Sequence, residues 1–155
     1  MTFRLSGIDP AAFEPLFALG DDALRRVNAR RVVADGDAGF PCRVSLQDAA
    51  RGDTLLLLPY QHQPAASPYR ASGPIFVRRG AARAVLAPGE VPAYVAKRLI
   101  SLRAYDGDGM MVDADVREGN EVADALVRMF RDPAVADIHL HNARRGCFSC
   151  VARRA

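Results

Sequence analysis

A twelve-residue segment near the C-terminus concentrates the side chains best suited to chemistry at neutral pH. It has the sequence His139-Leu-His141-Asn-Ala-Arg-Arg-Gly-Cys147-Phe-Ser-Cys150, with two of the chain's three histidines and two of its three cysteines. Imidazole and thiol groups bind metals, attack electrophiles and transfer protons near neutral pH. This segment is therefore the first candidate for a functional site.

Strand alternation predicts which of these side chains share a face. If the two ends of the segment pair as an antiparallel hairpin around a five-residue loop, His141 lies opposite Cys147, and directly opposed residues project to the same side. We predict a polar face and a core face, the first with His139, His141, Cys147 and Ser149 and the second with Ile138, Leu140, Phe148 and Cys150.

This alternation of side chains disfavours a functional Cys-x-x-Cys motif at Cys147 and Cys150. A Cys-x-x-Cys pair binds zinc or exchanges disulfides when a turn or a helix start brings both sulfurs to one side. In an extended strand Cys147 and Cys150 point in opposite directions, and few residues follow Cys150. We therefore expect Cys150 to be a small buried apolar side chain.

Two chemical interpretations of the polar face stay open. Cys147 is a candidate nucleophile, activated by a histidine across the strand and by Arg144 or Arg145, and Cys42 beside Arg43 is its rival. Alternatively, His139, His141 and the Cys147 thiolate bind zinc through three ligands with an open position, and Asp137 orients His139. We assign no metal and no cofactor from the sequence.

The third histidine lies in the span Pro59–Pro74, which contains four prolines and one glycine. This composition predicts a long irregular connection, and such connections are often functional. We expect this loop to form one wall of a cleft, with ligand contacts from Tyr60, His62, Ser67, Tyr69 and Arg70.

The C-terminal segment would form the opposite wall. Its candidate catalytic residues are His139, His141 and Cys147, and further ligand contacts are expected from Asn142, Arg144, Cys42 and Arg43. Because the cleft is rich in arginine and histidine, we expect a small anionic ligand such as a carboxylate or a phosphate.

Composition restricts the class of protein. The 155 residues are 50% hydrophobic and 25% charged, which predicts one globular domain over residues 1–155. The longest aliphatic run, Leu55 to Leu58, is too short to span a membrane, and the first residues lack the apolar core of a secretory signal. With an odd number of cysteines, we expect a cytoplasmic protein without structural disulfides. Arginine doublets are scattered rather than clustered, which disfavours nucleic-acid binding.

The predicted elements indicate an α+β domain, with a mixed, largely antiparallel sheet and two or three packed helices. Strands are predicted around Phe3–Ile8 and at Arg30–Ala34, Arg43–Leu46, Thr54–Leu58, Ile75–Val77, Arg83–Leu86, Leu99–Tyr105, Met110–Val116, Val135–His141 and Cys147–Arg153. Helical segments are predicted after Asp9-Pro10 and at Asp21–Asn28, Pro92–Arg98 and Asn120–Asp132.

Six short motifs follow one another along the chain: Phe-Pro-Cys42-Arg43, Leu-Leu-Pro59-Tyr60, Ser67-Pro-Tyr69, Gly73-Pro-Ile-Phe-Val-Arg78, Leu102-Arg103-Ala-Tyr105 and His139-Leu-His141-Asn142-Ala-Arg144-Arg-Gly146-Cys147-Phe148. Over nearly the whole chain this set resembles the family catalogued as domain of unknown function 1203. The resemblance implies a compact bacterial single-domain protein and brings no activity with it. The family pattern has a small residue more often than cysteine at the position of Cys150, which further disfavours a Cys-x-x-Cys function.

The leading hypothesis is thus a small-molecule-binding domain, with enzymatic activity undecided. Two other classes stay open: a protein-interaction module or homodimer that docks through the proline-rich loop, and the zinc site.

Overall fold

The computed structural model describes residues 2–155, and its strands form two five-stranded sheets. In spatial order, the first sheet contains β1 (Phe3–Ser6), β10 (Phe148–Arg154), β9 (Asp137–Asn142), β7 (Leu99–Tyr105) and β8 (Met111–Glu118). The second contains β2 (Arg30–Val33), β5 (Thr54–Gln63), β6 (Ala71–Arg78), β3 (Pro41–Cys42) and β4 (Gln47–Asp48). The predicted α+β class is confirmed, with the strands divided between two sheets instead of one.

The helices are short. They are α1 (Asp21–Arg26), α2 (Ala93–Ala96) and α3 (Val122–Met129), with 3₁₀ turns at Pro10–Ala12, Glu14–Ala18 and Gly119–Glu121. Pro15 lies at the start of the second of these turns, and its missing N–H prevents one continuous helix from Pro10 to Ala18. Asp9 caps the first turn by accepting the N–H of Ala11, as its position before Pro10 predicted.

Helix α3 covers one face of the first sheet. Its apolar stripe, which includes Val122 and Leu126, packs in one buried cluster with Ile138, Leu140 and Cys150 of β9 and β10. Burying a large aliphatic side chain contributes about 1.5–3 kcal/mol, so this layer is a major source of stability. Cys150 lies in the core, as predicted.

The predicted irregular connection Pro59–Pro74 is wrong. Strands β5 and β6 extend through most of it and pair Pro59 with Pro74, which leaves only residues 64–70 as a loop. The prolines are tolerated because of the direction their nitrogens face. The carbonyl of Phe76 points to the opposite edge of β6, where it accepts the N–H of Arg43, and alternation gives Pro74 the same direction. Its missing N–H therefore costs no bond to β5.

Two other strand predictions are also wrong. Residues 43–46 form a tight turn between β3 and β4, with Leu46 at a positive φ of 53°, instead of a strand. The predicted strand Arg83–Leu86 is reduced to a single bridge between Ser6 and Val85. Short apolar runs do not distinguish a strand from a buried turn.

The predicted register of the C-terminal hairpin is wrong as well. His141 lies opposite Phe148 and His139 opposite Val151, with a β-bulge between Phe148 and Cys150. The bulge adds one residue to β10 and reverses its side-chain parity at that point. Consequently, Phe148 projects to the histidine side of the sheet while Cys150 projects to the core.

Ser149, the residue at the bulge, is buried and its hydroxyl lies 2.5 Å from the hydroxyl of Tyr94. It therefore does not join the predicted polar face. Among residues 2–155, the structure contains no helix long and apolar enough to cross a membrane.

Candidate functional site

The three histidines of the chain meet between the two sheets. His139 and His141 project from β9 of the first sheet, and His62 projects from β5 of the second. One ring nitrogen from each lies within 4.8 Å of the others. His139 and His141 are 5% and 0% exposed. We call His62, His139 and His141 the histidine cluster.

Hydrogen bonds define the protonation of the deepest ring. Nδ1 of His141 lies 2.9 Å from the carbonyl oxygen of Gly146. A carbonyl only accepts, so Nδ1 carries the proton and Nε2 presents a lone pair. This Nε2 is buried and has no hydrogen-bond partner within residues 2–155.

The other two rings also contain an unpartnered buried nitrogen. Nδ1 of His139 and Nδ1 of His62 are also buried and lack a partner in the described chain. Nε2 of His139 faces Asp137, whose Oδ1 is 3.6 Å away. A proton on Nε2 is favoured by this carboxylate, which leaves the lone pair on Nδ1. Each ring thus contributes one buried nitrogen without a partner.

Aromatic contacts hold the rings in place. The ring of Phe148 stacks on His62 with centroids 5.5 Å apart and an interplanar angle of 3°. The ring of Tyr105 lies 4.8 Å from that of His139. Phe148 reaches this position only because of the bulge.

Burial keeps the histidines neutral. It lowers the pKa of His139 to about 4, with smaller contributions from His62, Arg153 and Arg103. It lowers the pKa of His141 to about 3, where the hydrogen bond to Gly146 opposes the decrease and Arg103 adds to it. Burial also lowers the pKa of His62, again with help from Arg103. Neutral imidazole is the form that binds metals.

The histidine cluster has the ligand type that divalent transition metals prefer. Zinc–nitrogen bonds of about 2.1 Å in a tetrahedron place the ligand nitrogens about 3.4 Å apart. The present spacing of up to 4.8 Å requires the rings to approach by rotation of their side chains. The unpartnered nitrogens, the Gly146 carbonyl and the Asp137 carboxylate are the groups that metal-binding histidines ordinarily use.

A cavity of about 520 Å³ opens beside the cluster. This volume is within the range of small-molecule sites. His62 and His139 line it, whereas His141 lies behind them. Its other lining residues from both sheets and their connections include Tyr60, Gln63, Arg83, Tyr105, Asp106, Asp137, Phe148 and Arg153.

The structure brings together some of the residues predicted for the cleft. Tyr60 and His62 line the cavity, opposite His139. Ser67 and Tyr69 lie beside it: the Ser67 hydroxyl donates to the carbonyl of Gly109, and the Tyr69 ring contacts Tyr105. These contacts fasten loop 64–70 to the end of β7 and to the turn that follows it.

Other predicted residues lie elsewhere. Arg70 and Arg144 are exposed and are not among the cavity-lining residues. Cys147 precedes β10, and its sulfur is 3.9 Å from the carbonyl of Arg145. Asn142, at the end of β9, has a buried Oδ1 without a partner in residues 2–155.

The pair Cys42 and Arg43 is buried in the interior. Cys42 belongs to the apolar cluster of the second sheet, and its sulfur accepts the N–H of Arg78 at 3.3 Å. The Arg43 guanidinium donates to the carbonyls of Phe148 and Pro41. Arg43 thereby links the second sheet to the bulge that positions Phe148.

Sequence reasoning missed four residues around the site: Arg83, Arg103, Tyr105 and Arg153. Arg103 pairs with His139 across β7 and β9, so its position follows from the strand order. That order makes neighbours of strands that are far apart in the chain, and no local sequence pattern predicts it. Asp137 was the exception, because its alternation with His139 and His141 is visible in the sequence.

Comparisons with known proteins identify the family. A family model described as a protein of unknown function (DUF1203) matches residues 39–154, a range that contains all three histidines. No curated protein and no solved structure matches the chain. The match covers most of the sequence, and the chain therefore belongs to the DUF1203 family of proteins of unknown function.

Proposed function

We propose that this protein binds one divalent transition metal through His62, His139 and His141, with zinc as the leading candidate. The bound metal would then help to bind a small molecule in the adjacent cavity. The three unpartnered buried nitrogens carry the proposal. A buried polar atom without a hydrogen bond destabilises a protein by about 1–3 kcal/mol. Three such atoms on neighbouring rings support one missing common partner, and a cation bound by the ring nitrogens would satisfy all three.

The ligand set favours zinc over hard cations. Three imidazoles suit zinc, copper, nickel or iron, whereas calcium and magnesium prefer oxygen ligands. Three protein ligands leave at least one coordination position open, which is the arrangement of catalytic zinc sites. When bound, such a metal polarises a ligand or lowers the pKa of a coordinated water. This supports enzymatic chemistry on a small molecule as the function.

The chain's own residues supply the rest of the site. The Gly146 carbonyl orients His141 by a hydrogen bond, and the Asp137 carboxylate lies 3.6 Å from His139. Phe148 stacks on His62, and Tyr105 closes the side beside His139. The cysteines are not ligands in this proposal. The zinc site predicted from the sequence used Cys147 as its third ligand, and here His62 takes that place.

Metal titration tests the proposal directly. Metal-free protein without a polyhistidine tag is titrated with Zn²⁺ by calorimetry and with Co²⁺ by visible absorption. We expect one metal per chain and, with Co²⁺, the intense bands of a four-coordinate site. Because total zinc-binding free energies are about 10–16 kcal/mol in structural sites, loss of one of three ligands should weaken binding by about 100-fold or more. We expect this for His62→Ala, His139→Ala and His141→Ala.

Cys147→Ser is the matched control, since it removes a ligand-type side chain from the same hairpin. It should leave zinc affinity and the Co²⁺ spectrum unchanged. The proposal is wrong if the wild-type protein binds no metal stoichiometrically, or if the histidine variants keep its affinity while remaining folded by circular dichroism.

Asp137→Asn gives a further prediction. The substitution keeps the shape of the side chain and removes the charge 3.6 Å from Nε2 of His139. Loss of such an outer carboxylate typically weakens metal binding by about 10–100-fold, and we expect that range for zinc. Asp106→Asn is the control, because Asp106 also lines the cavity but accepts backbone N–H groups of its own turn. Equal zinc affinity in the Asp137 variant and the wild type would contradict this role.

A further inference from the structure

We propose that the cavity accepts a small molecule bearing a carboxylate or phosphate group, held by Arg83 and Arg153. As an assignment of substrate class it rests on the proposed metal centre, but the anion site can be tested without metal. The shared chemistry is a planar or tetrahedral oxyanion, which guanidinium groups recognise through paired N–H donors.

Two separate elements bring these cations to one space. Arg83 lies after β6, Arg153 lies on β10, and both line the cavity. Nε of Arg83 donates to the carbonyl of Gly7 at 2.8 Å, which holds the guanidinium in one orientation. Within residues 2–155 this is its one side-chain hydrogen bond, so its Nη edge can bind an oxyanion.

Within residues 2–155, Asp137 is the one carboxylate of the cavity lining that comes within 4.0 Å of either arginine. Oδ1 of Asp9 accepts the N–H of Ala11, and Oδ1 of Asp106 accepts the N–H groups of Asp108 and Met110. Both carboxylates thus stabilise their own turns.

Asp137 is the remaining carboxylate among the lining residues. Its Oδ2 lies 4.0 Å from Arg153, at the limit of an ion pair, and its Oδ1 faces His139. The side chain of Arg153 is 61% exposed and can turn toward a ligand.

Tyr60 supplies a third donor beside the two cations. Tyr60 lines the same cavity as Arg83 and Arg153. Burial raises the pKa of its phenol, and the charges of Arg153 and Arg83 oppose that increase. The hydroxyl is therefore protonated at neutral pH and can donate to an oxyanion. An anionic group bound here leaves the rest of the molecule directed toward His62 and His139 across the same cavity.

Two probes test the inference: inorganic phosphate and succinate. The binding of each is measured by calorimetry, with metal-free and with zinc-loaded protein. Arg83→Gln and Arg153→Gln are compared with Arg144→Gln, which removes the same charge from an exposed turn outside the cavity. A hydrogen bond to a charged group is strong enough that each cavity variant should bind at least about 10-fold more weakly. The Arg144 variant should match the wild type, and the tighter of the two probes identifies the oxyanion.

The outcomes separate this inference from the metal proposal. Weakened anion binding in the metal-free cavity variants supports the anion site even if no metal binds. Equal affinity in all variants, or no saturable binding of either probe, overturns the anion site and leaves the metal titration unaffected. Arg153 is mostly exposed, so its variant remains informative if loss of the Gly7 contact unfolds the Arg83 variant.

Discussion

Replacing Gly7 by alanine is expected to destabilise the protein by about 3 kcal/mol or more, as overpacking against rigid backbone does. A Cβ at this position would lie 1.9 Å from the carbonyl oxygen of Val44 and 2.8 Å from its carbon. The atoms it meets are backbone atoms of the turn between β3 and β4, which cannot rotate away. Urea unfolding followed by circular dichroism measures the change.

Gly36→Ala is the matched control. No atom of the described chain lies within 4 Å of the Cβ it would add, and its φ is not in the left-handed region. Its effect should be neutral or stabilising by up to about 1 kcal/mol, through reduced entropy of the unfolded chain. If the two variants unfold at the same urea concentration, the backbone around Gly7 accommodates a Cβ and the predicted overpacking is wrong.

The second large effect is an acid-dependent loss of stability in the metal-free protein. The folded pKa values of His139 and His141, about 4 and about 3, lie below the unfolded value of 6.5. Between these limits the unfolded chain binds protons that the folded chain does not. Stability is therefore fully present above pH 6.5 and falls as the pH drops toward 4. Two such histidines should lower the free energy of unfolding by about 3–4 kcal/mol between pH 7 and pH 5.

Urea unfolding in the presence of a chelator at both pH values measures this change. The double variant His139→Asn, His141→Asn should lose most of the pH dependence between pH 5 and 7. Proton NMR of the wild-type imidazoles provides a check that does not depend on the variant folding. Titration of both rings near pH 6.5 in the folded protein would show that they are not buried as described.

The sequence predicted the class of fold and which side chains share a face within one strand, but it did not predict the register between strands. Alternation within β9 placed His139, His141 and Asp137 on one side, because a strand's parity is a local property. Cys147 was wrongly included because parity across a hairpin also depends on register. One extra residue at Ser149 changes that register, and nothing in the sequence marks it.

His62 was assigned to the right neighbourhood for the wrong reason. Its proline-rich surroundings predicted a loop, although the structure places it in a ten-residue strand. Proline disrupts a strand only where its missing N–H faces a partner, and that direction is set by neighbouring strands rather than by composition. Arg103 and Arg153 could not be predicted, because the order of strands in the first sheet places β7 and β10 beside β9. Arg83 reaches the cavity from the connection after β6, whose path no local pattern indicates.

The histidine cluster draws its members from both sheets, and this has a consequence for assembly. A bound ion would act as a reversible cross-link between β5 and β9, which are distant in the chain. Because the ligands come together only after the sheets pack, the unfolded chain offers no comparable site. Metal availability would therefore tighten the contact between the sheets and increase stability with the logarithm of free metal concentration. The cavity that lies along this junction would keep its shape most firmly when the ion is present.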